Sequence, residues 1–143
     1  MKAAWLVLLW TPAALAQSCR VEVIPVNFGA YDPARPRPSQ ARGEIAVSCR
    51  QSGDKTAAPS VRLQLSGPAQ RQLQSAGMAL RYSLFQDAAL RRPWWDGAPL
   101  ELAPGPEDER NGELRAPVHA LLPPGQWVQP GVYQDVVQLS VEF

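Results

Sequence analysis

The sequence predicts an all-β sandwich that is one strand short, on three observations. Apolar and polar residues alternate in several short runs, each bounded by Gly or Pro. No run of ten or more residues beyond the N-terminal segment has helical periodicity. The clearest strand is the last stretch, residues 131–143, where Tyr133, Val137, Leu139, Val141 and Phe143 fall at period two with Gln138, Ser140 and Glu142 between them. Gly131, after Pro130, sets its start, and its pattern is still running at Phe143.

Residues 1–16 read as a secretory signal peptide. Lys2 is the positive start, residues 3–10 are an apolar run too short to span a bilayer, and Ala14-Leu15-Ala16 is a small-x-small cleavage pattern. The mature domain is then residues 17–143, enough chain for one modest core. With Lys2 removed, the remaining basic residues equal the 13 acidic ones. Neither a nucleic acid nor a lipid surface is an expected partner, and no stable membrane insertion is expected. Cys19 and Cys49 are both in the mature part, and an exported chain with two cysteines most simply forms one disulfide. A single histidine, His119, argues against a Cys/His metal site, and no cofactor is expected.

The strands follow in order. Cys19, Val21 and Val23 alternate with polar neighbours, Pro25 interrupts, and Val26 and Phe28 resume. Residues 29–33 turn, and residues 34–39 form a Pro-rich extended loop. Ile45, Val47 and Cys49 make a second strand. Cys19 shares the inward parity of the first, so a bridge between two core-facing strand ends is natural. Val61, Leu63 and Leu65 make a third, and residues 69–77 read as a polar connection. Leu80, Tyr82 and Leu84 make a fourth. Residues 87–110 lack periodicity and read as a long excursion with short β pieces. Leu114, Ala116, Val118 and Ala120 make a fifth, placed at a sheet edge because Pro117 cannot donate to a ladder. With the final strand that is six. A complete immunoglobulin-type sandwich has about seven, and the absent one would follow the last.

An ordered set of short motifs runs through these strands. They are Val26-x-Phe28-Gly29-x-Tyr31-Asp32-Pro33, Gly43-x-Ile45-x-Val47-x-Cys49, Leu80-x-Tyr82-x-Leu84-x-x-Asp87, Trp95-x-Gly97 and Gly131-x-Tyr133-x-Asp135-x-Val137, with Cys19 ahead of them. Together they resemble the spore coat protein U domain family, which includes subunits of archaic, sigma-type chaperone–usher pili. The resemblance implies an incomplete immunoglobulin-like β-sandwich lacking its last strand. It implies a periplasmic pilus chaperone that lends a strand, an outer-membrane usher, and neighbouring pilus subunits that donate one in the fibre. It also implies export to the periplasm and then display on the cell surface in a structural or adhesive role. The chemistry would be β-augmentation, in which main-chain hydrogen bonds form at an open edge and alternate side chains fill a groove.

Tyr133, Val137, Leu139, Val141 and Phe143 are the residues assigned to the wall of that groove. Only Gln17 and Ser18 would precede Cys19 after cleavage, too few to donate a strand of about five residues. The expected place in a fibre is therefore terminal, tip-like. Asp135 falls on the inward parity and is expected at the sandwich end, bonded to loop amides, since an unpaired buried carboxylate is costly. No catalytic partner for it is identifiable, and His119 lacks a nucleophile in a recognisable setting, so no enzyme is expected. Trp94, Trp95 and Trp127 fall in loops, where tryptophans more often cap a sandwich end. Exposed, Trp94 and Trp95 would be a candidate adhesive or glycan-stacking surface, and a self-standing secreted glycan-binding sandwich is the alternative function. Residues 107–109 are acidic but lack calcium-loop spacing and read as a solvated turn.

Overall fold

A computed structural model describes residues 18–143 apart from 52 and 54. The expected signal peptide and its cleavage site lie outside the described residues. The strands are β1 (Cys19–Ile24), β2 (Ser39–Arg50), β3 (Thr56–Ala57), β4 (Val61–Leu65), β5 (Arg71–Ser75), β6 (Met78–Phe85), β7 (Leu100–Leu102), β8 (Leu114–Leu122) and β9 (Leu139–Glu142), and a short helix, α1 (Pro106–Asn111), precedes β8. One sheet of six strands runs β1-β2-β8-β6-β5, with β3 on the end of β2. The other sheet has three, β7-β4-β9. This is the two-sheet all-β sandwich the alternation predicts.

The core lies where inward residues of the two sheets meet. Ile45 and Val47 of β2, Val61, Leu63 and Leu65 of β4, Leu80, Tyr82 and Leu84 of β6, and Leu114, Ala116, Val118, Ala120 and Leu122 of β8 are all buried. In β8 the burial alternates residue by residue from Leu114 to Leu122. Full burial of each such side chain stabilises by about 1.5–3 kcal/mol, so these four strands carry most of the fold.

Pro117 is not on an edge strand, because β8 sits between β2 and β6. Its pairing with β6 covers only Leu121, Ala120 and His119. On that flank Pro117 lies past the end of the ladder, so the missing N–H is tolerated inside a central strand. Residues 71–75, read as connection, are instead β5. Its only aliphatic residue is Leu73, and its inward end is Arg71, 5% exposed. The guanidinium donates to the carbonyls of Ser66 (2.7 Å) and Trp94 (3.3 Å). A charged residue facing inward erases the alternation that would have revealed the strand. Ala76 and Gly77, both at positive φ, close the β5–β6 hairpin.

The excursion over residues 87–110 contains β7 and the start of α1. Pro106 sits in the first turn, Gly112 ends the helix in the left-handed region, and Asp108 accepts from the amide of Gly105 at 3.0 Å. Six residues are too few to show a helical period, and the acidic run 107–109 belongs to this helix. Among the described residues, no group of three or more His, Cys, Asp or Glu is placed to hold a metal.

Cys19 and Cys49 are bonded. They sit directly opposite each other in the β1–β2 ladder, so the bridge joins neighbouring strands of one sheet. Closing a loop across 30 positions stabilises by about 3–4 kcal/mol in the chain-entropy account. Gly43 of β2 is buried because β1 approaches it closely: a Cβ there would stand 2.7 Å from the Ile24 carbonyl oxygen.

Candidate functional site

The final strand is shorter than its alternation predicts, and the way it is shortened defines the site. Only Leu139–Glu142 form β9, and β9 pairs with β4 alone. Among the described residues its other flank carries no ladder. Ahead of it the segment crosses between sheets. Gln134 makes a two-way backbone bridge to Gln74 of β5, and the carbonyl of Gln138 accepts from the Ser66 amide. Ladders need a continuous neighbour on the hydrogen-bonding side, and among the described residues, positions 131–138 have only these isolated contacts at Gln134 and Gln138. The period-two pattern survives in burial: Tyr133, Val137, Leu139 and Val141 are half-buried against the core. Phe143, the last residue of the pattern, lies beyond β9 and is 63% exposed.

Beside this segment opens a cleft of about 930 Å³. That is roughly six times the cavity of about 150 Å³ that takes up a benzene, room for several side chains. Its floor is apolar: Leu73 of β5, Leu80, Tyr82 and Leu84 of β6, and Leu122 of β8. One rim is the stretch after β1, carrying Val26 and Phe28, and the other runs from Trp127 to Val137. Phe28 packs edge-on against Tyr82, ring centroids 6.1 Å apart.

The rims are fixed by long-range polar contacts. The Tyr31 hydroxyl donates to the Pro123 carbonyl (2.8 Å) and accepts from the Gln126 amide (3.1 Å). The Gln126 side chain in turn accepts from the Arg81 amide (2.8 Å) and donates to the Arg81 carbonyl (2.9 Å), so it behaves as an extra strand residue beside β6. Asp135 is exposed and its carboxylate accepts from the Tyr82 hydroxyl at 2.5 Å, rather than from the loop amides expected. Burial first, and then this bond, push the Tyr82 hydroxyl well above the ordinary tyrosine range. Asp87, the last residue of its motif, takes the amides of Arg91 (3.1 Å) and Arg92 (2.9 Å) and shapes the loop after β6. The Arg92 amide, more than any other group, holds its carboxyl below the usual range.

A second apolar exposure lies on β1. Val21 and Val23 stand opposite Val47 and Ile45 in the ladder and so face the same side of the sheet. Their partners are buried, yet Val21 is 39% and Val23 56% exposed. A three-stranded layer does not cover the inner face of a six-stranded one out to its β1 edge.

The two tryptophans singled out as an adhesive candidate part company. Trp94 is completely buried and sits in the core, its amide donating to the Leu84 carbonyl at 2.8 Å, so it is not available to a ligand. Trp95 is 37% exposed, with its ring lying over Gly97, where a Cβ would meet it at 2.3–2.7 Å. That contact accounts for the Trp-x-Gly spacing. Trp127, on the cleft rim, is 73% exposed. Sequence reasoning missed Leu73 and Gln126. One hides in a polar strand, and the other has no signal in the sequence at all.

In architecture the chain is similar to a chain of the crystal structure of the CsuC-CsuE chaperone-tip adhesion subunit pre-assembly complex from archaic chaperone-usher Csu pili of Acinetobacter baumannii. The TM-score is 0.58 at 21% identity, over 88% of this chain and 39% of that one, so this chain spans well under half of that chain's length. No curated protein matches the sequence significantly. The Spore Coat Protein U domain model matches residues 4–140, nearly the whole sequence, and the chain belongs to that family.

Proposed function

We propose that the protein is a structural or adhesive subunit of a chaperone–usher pilus and works by accepting a β-strand from another polypeptide. The observation that carries this reading is an apolar cleft of about 930 Å³ rimmed by residues 127–137, the stretch that leads into β9, whose second flank is unpaired among the described residues. The occupant is an extended segment with apolar residues at every second position. Its main chain pairs with β9, and its alternate side chains cover the floor of the cleft. The exposed Val21 and Val23 fit the same need for one more strand in the smaller sheet. Family membership and the likeness to a Csu pilus assembly support the same class.

Magnitudes favour a tight joint over a loose one. Association loses about 4–15 kcal/mol of free energy in lost motion, and full burial of an apolar side chain returns about 1.5–3 kcal/mol. Three or four covered side chains only break even at the lower figure, so the main-chain ladder and the whole run of alternate residues must engage together. In this reading Tyr133, Val137, Leu139 and Val141 form one wall, and the donors are a periplasmic chaperone before assembly and a neighbouring subunit in the fibre, delivered through an outer-membrane usher. Export would use residues 1–16 as a cleaved leader. Cleavage at Gln17 would leave no donor arm and give the subunit a terminal place.

Co-expression with a pilus chaperone tests the proposal. The expected result is a stable one-to-one complex in the periplasm, with most of the subunit lost to aggregation or proteolysis and only a small soluble fraction left when the chaperone is omitted. A soluble monomer recovered in full without any chaperone would contradict it. N-terminal sequencing of the recovered subunit reads its cleavage site and hence its place.

A further inference from the structure

Among the described residues that line the cleft, Asp135 is the only charged one. The Tyr82 hydroxyl donates to one of its carboxylate oxygens, Oδ2. Among the described residues no Lys, Arg or His lies within ion-pair distance of either oxygen. The carboxylate projects over the floor from the rim, bonded to a residue of the floor. Any strand that fills the cleft will remove water from it, and a carboxylate taken out of water with one donor is under-satisfied.

Building on the strand-accepting reading of the cleft, we propose that Asp135 selects the strand. The occupant is an extended segment of another polypeptide that carries Lys or Arg at the one inward position meeting Asp135, and apolar residues at the inward positions on either side. A long basic side chain suits this place, because its methylene stem covers apolar floor while its head reaches the carboxylate. An Asp or Glu at the same position would put two carboxylates together in a site losing its water, which disfavours that partner. The apolar floor sets affinity, and this single charge sets register and choice of partner.

The test uses labelled peptides of about nine residues that alternate inward valine with outward threonine, with each inward valine replaced in turn by Lys or Glu. Binding to the purified, disulfide-bonded subunit is read by fluorescence anisotropy. At one inward position Lys should bind at least about tenfold more tightly than Glu. Asp135→Asn keeps the acceptor for Tyr82 and should reduce that difference to within about twofold, while the all-valine peptide, which offers the carboxylate no cation, should bind at least as tightly as it does to the wild type. Tyr82→Phe frees Oδ2 and should widen the preference, which keeps the question open to measurement should Asp135→Asn fold poorly. If the all-valine peptide binds but no position discriminates, or the discrimination ignores both substitutions, the assignment to Asp135 is overturned and the cleft reading stands. If no peptide binds at all, the cleft reading itself falls, and this inference with it.

Discussion

Trp94→Ala is expected to lower the melting temperature by about 10–25 °C. Trp94 is the largest fully buried side chain, and truncating a buried tryptophan costs about 3–5 kcal/mol against a total stability of about 5–15 kcal/mol for a domain. The loss falls on more than packing. The Trp94 amide and carbonyl tie the residue to Leu84 and Arg71, so a cavity there also loosens the buried guanidinium. Trp94→Phe should be much milder. It removes some volume, but it also removes the indole Nε1, which is buried without a partner. An unpaired buried donor costs about 1–3 kcal/mol, which offsets part of the lost packing. Thermal melting of the oxidised protein checks both, and a Trp94→Ala protein melting within a few degrees of wild type would contradict the core assignment.

Leu139→Asp should abolish recovery of a complex with a strand donor while leaving the rest of the sandwich intact. Leu139 opens β9 opposite Leu65 and is half-buried against the core. A carboxylate there stays partly solvated in the free subunit but is covered once a strand lies beside β9. Several kcal/mol for burying an unpaired ion corresponds to a loss of about a hundredfold or more in affinity. Ser140→Asp, one residue on and facing outward, is the control and should bind close to wild type. Co-purification with a chaperone, alongside circular dichroism of each variant, separates loss of binding from loss of fold. Equal recovery of Leu139→Asp and Ser140→Asp would remove Leu139 from the surface that meets the donated strand.

What could be read in the sequence was whatever one local period encodes. Strands β2, β4, β6 and β8 are legible because each is half-buried with an unbroken alternation, as in Val61, Leu63 and Leu65. β5 is hidden by Arg71, whose guanidinium is held inside by the carbonyls of Ser66 and Trp94. α1 is hidden by its length. Phe143 obeys the alternation and is nonetheless exposed, since parity states which side a residue faces and not whether anything lies there. The cleft shows the same limit on a larger scale. Leu80, Tyr82 and Leu84 are plain as strand residues, but the rims that turn them into a floor come from two distant loops. Those loops are clasped by the bond from Tyr31 to Pro123, 92 positions apart. Asp135 was visible as an inward polar residue, and only the fold supplies Tyr82 as its partner.

Amide hydrogen exchange on the subunit, alone and with a bound strand donor, measures the free flank of β9 directly. The expected result in the free chain is rapid exchange at the amides of Leu139–Glu142 that point away from β4 and across residues 131–138 other than Gln134 and Gln138, beside protected β2 and β8. On binding, protection should rise across both stretches and at Val26 and Phe28. Full protection of Leu139–Glu142 on both flanks in the free chain, or a donor that binds without slowing exchange there, would contradict the account.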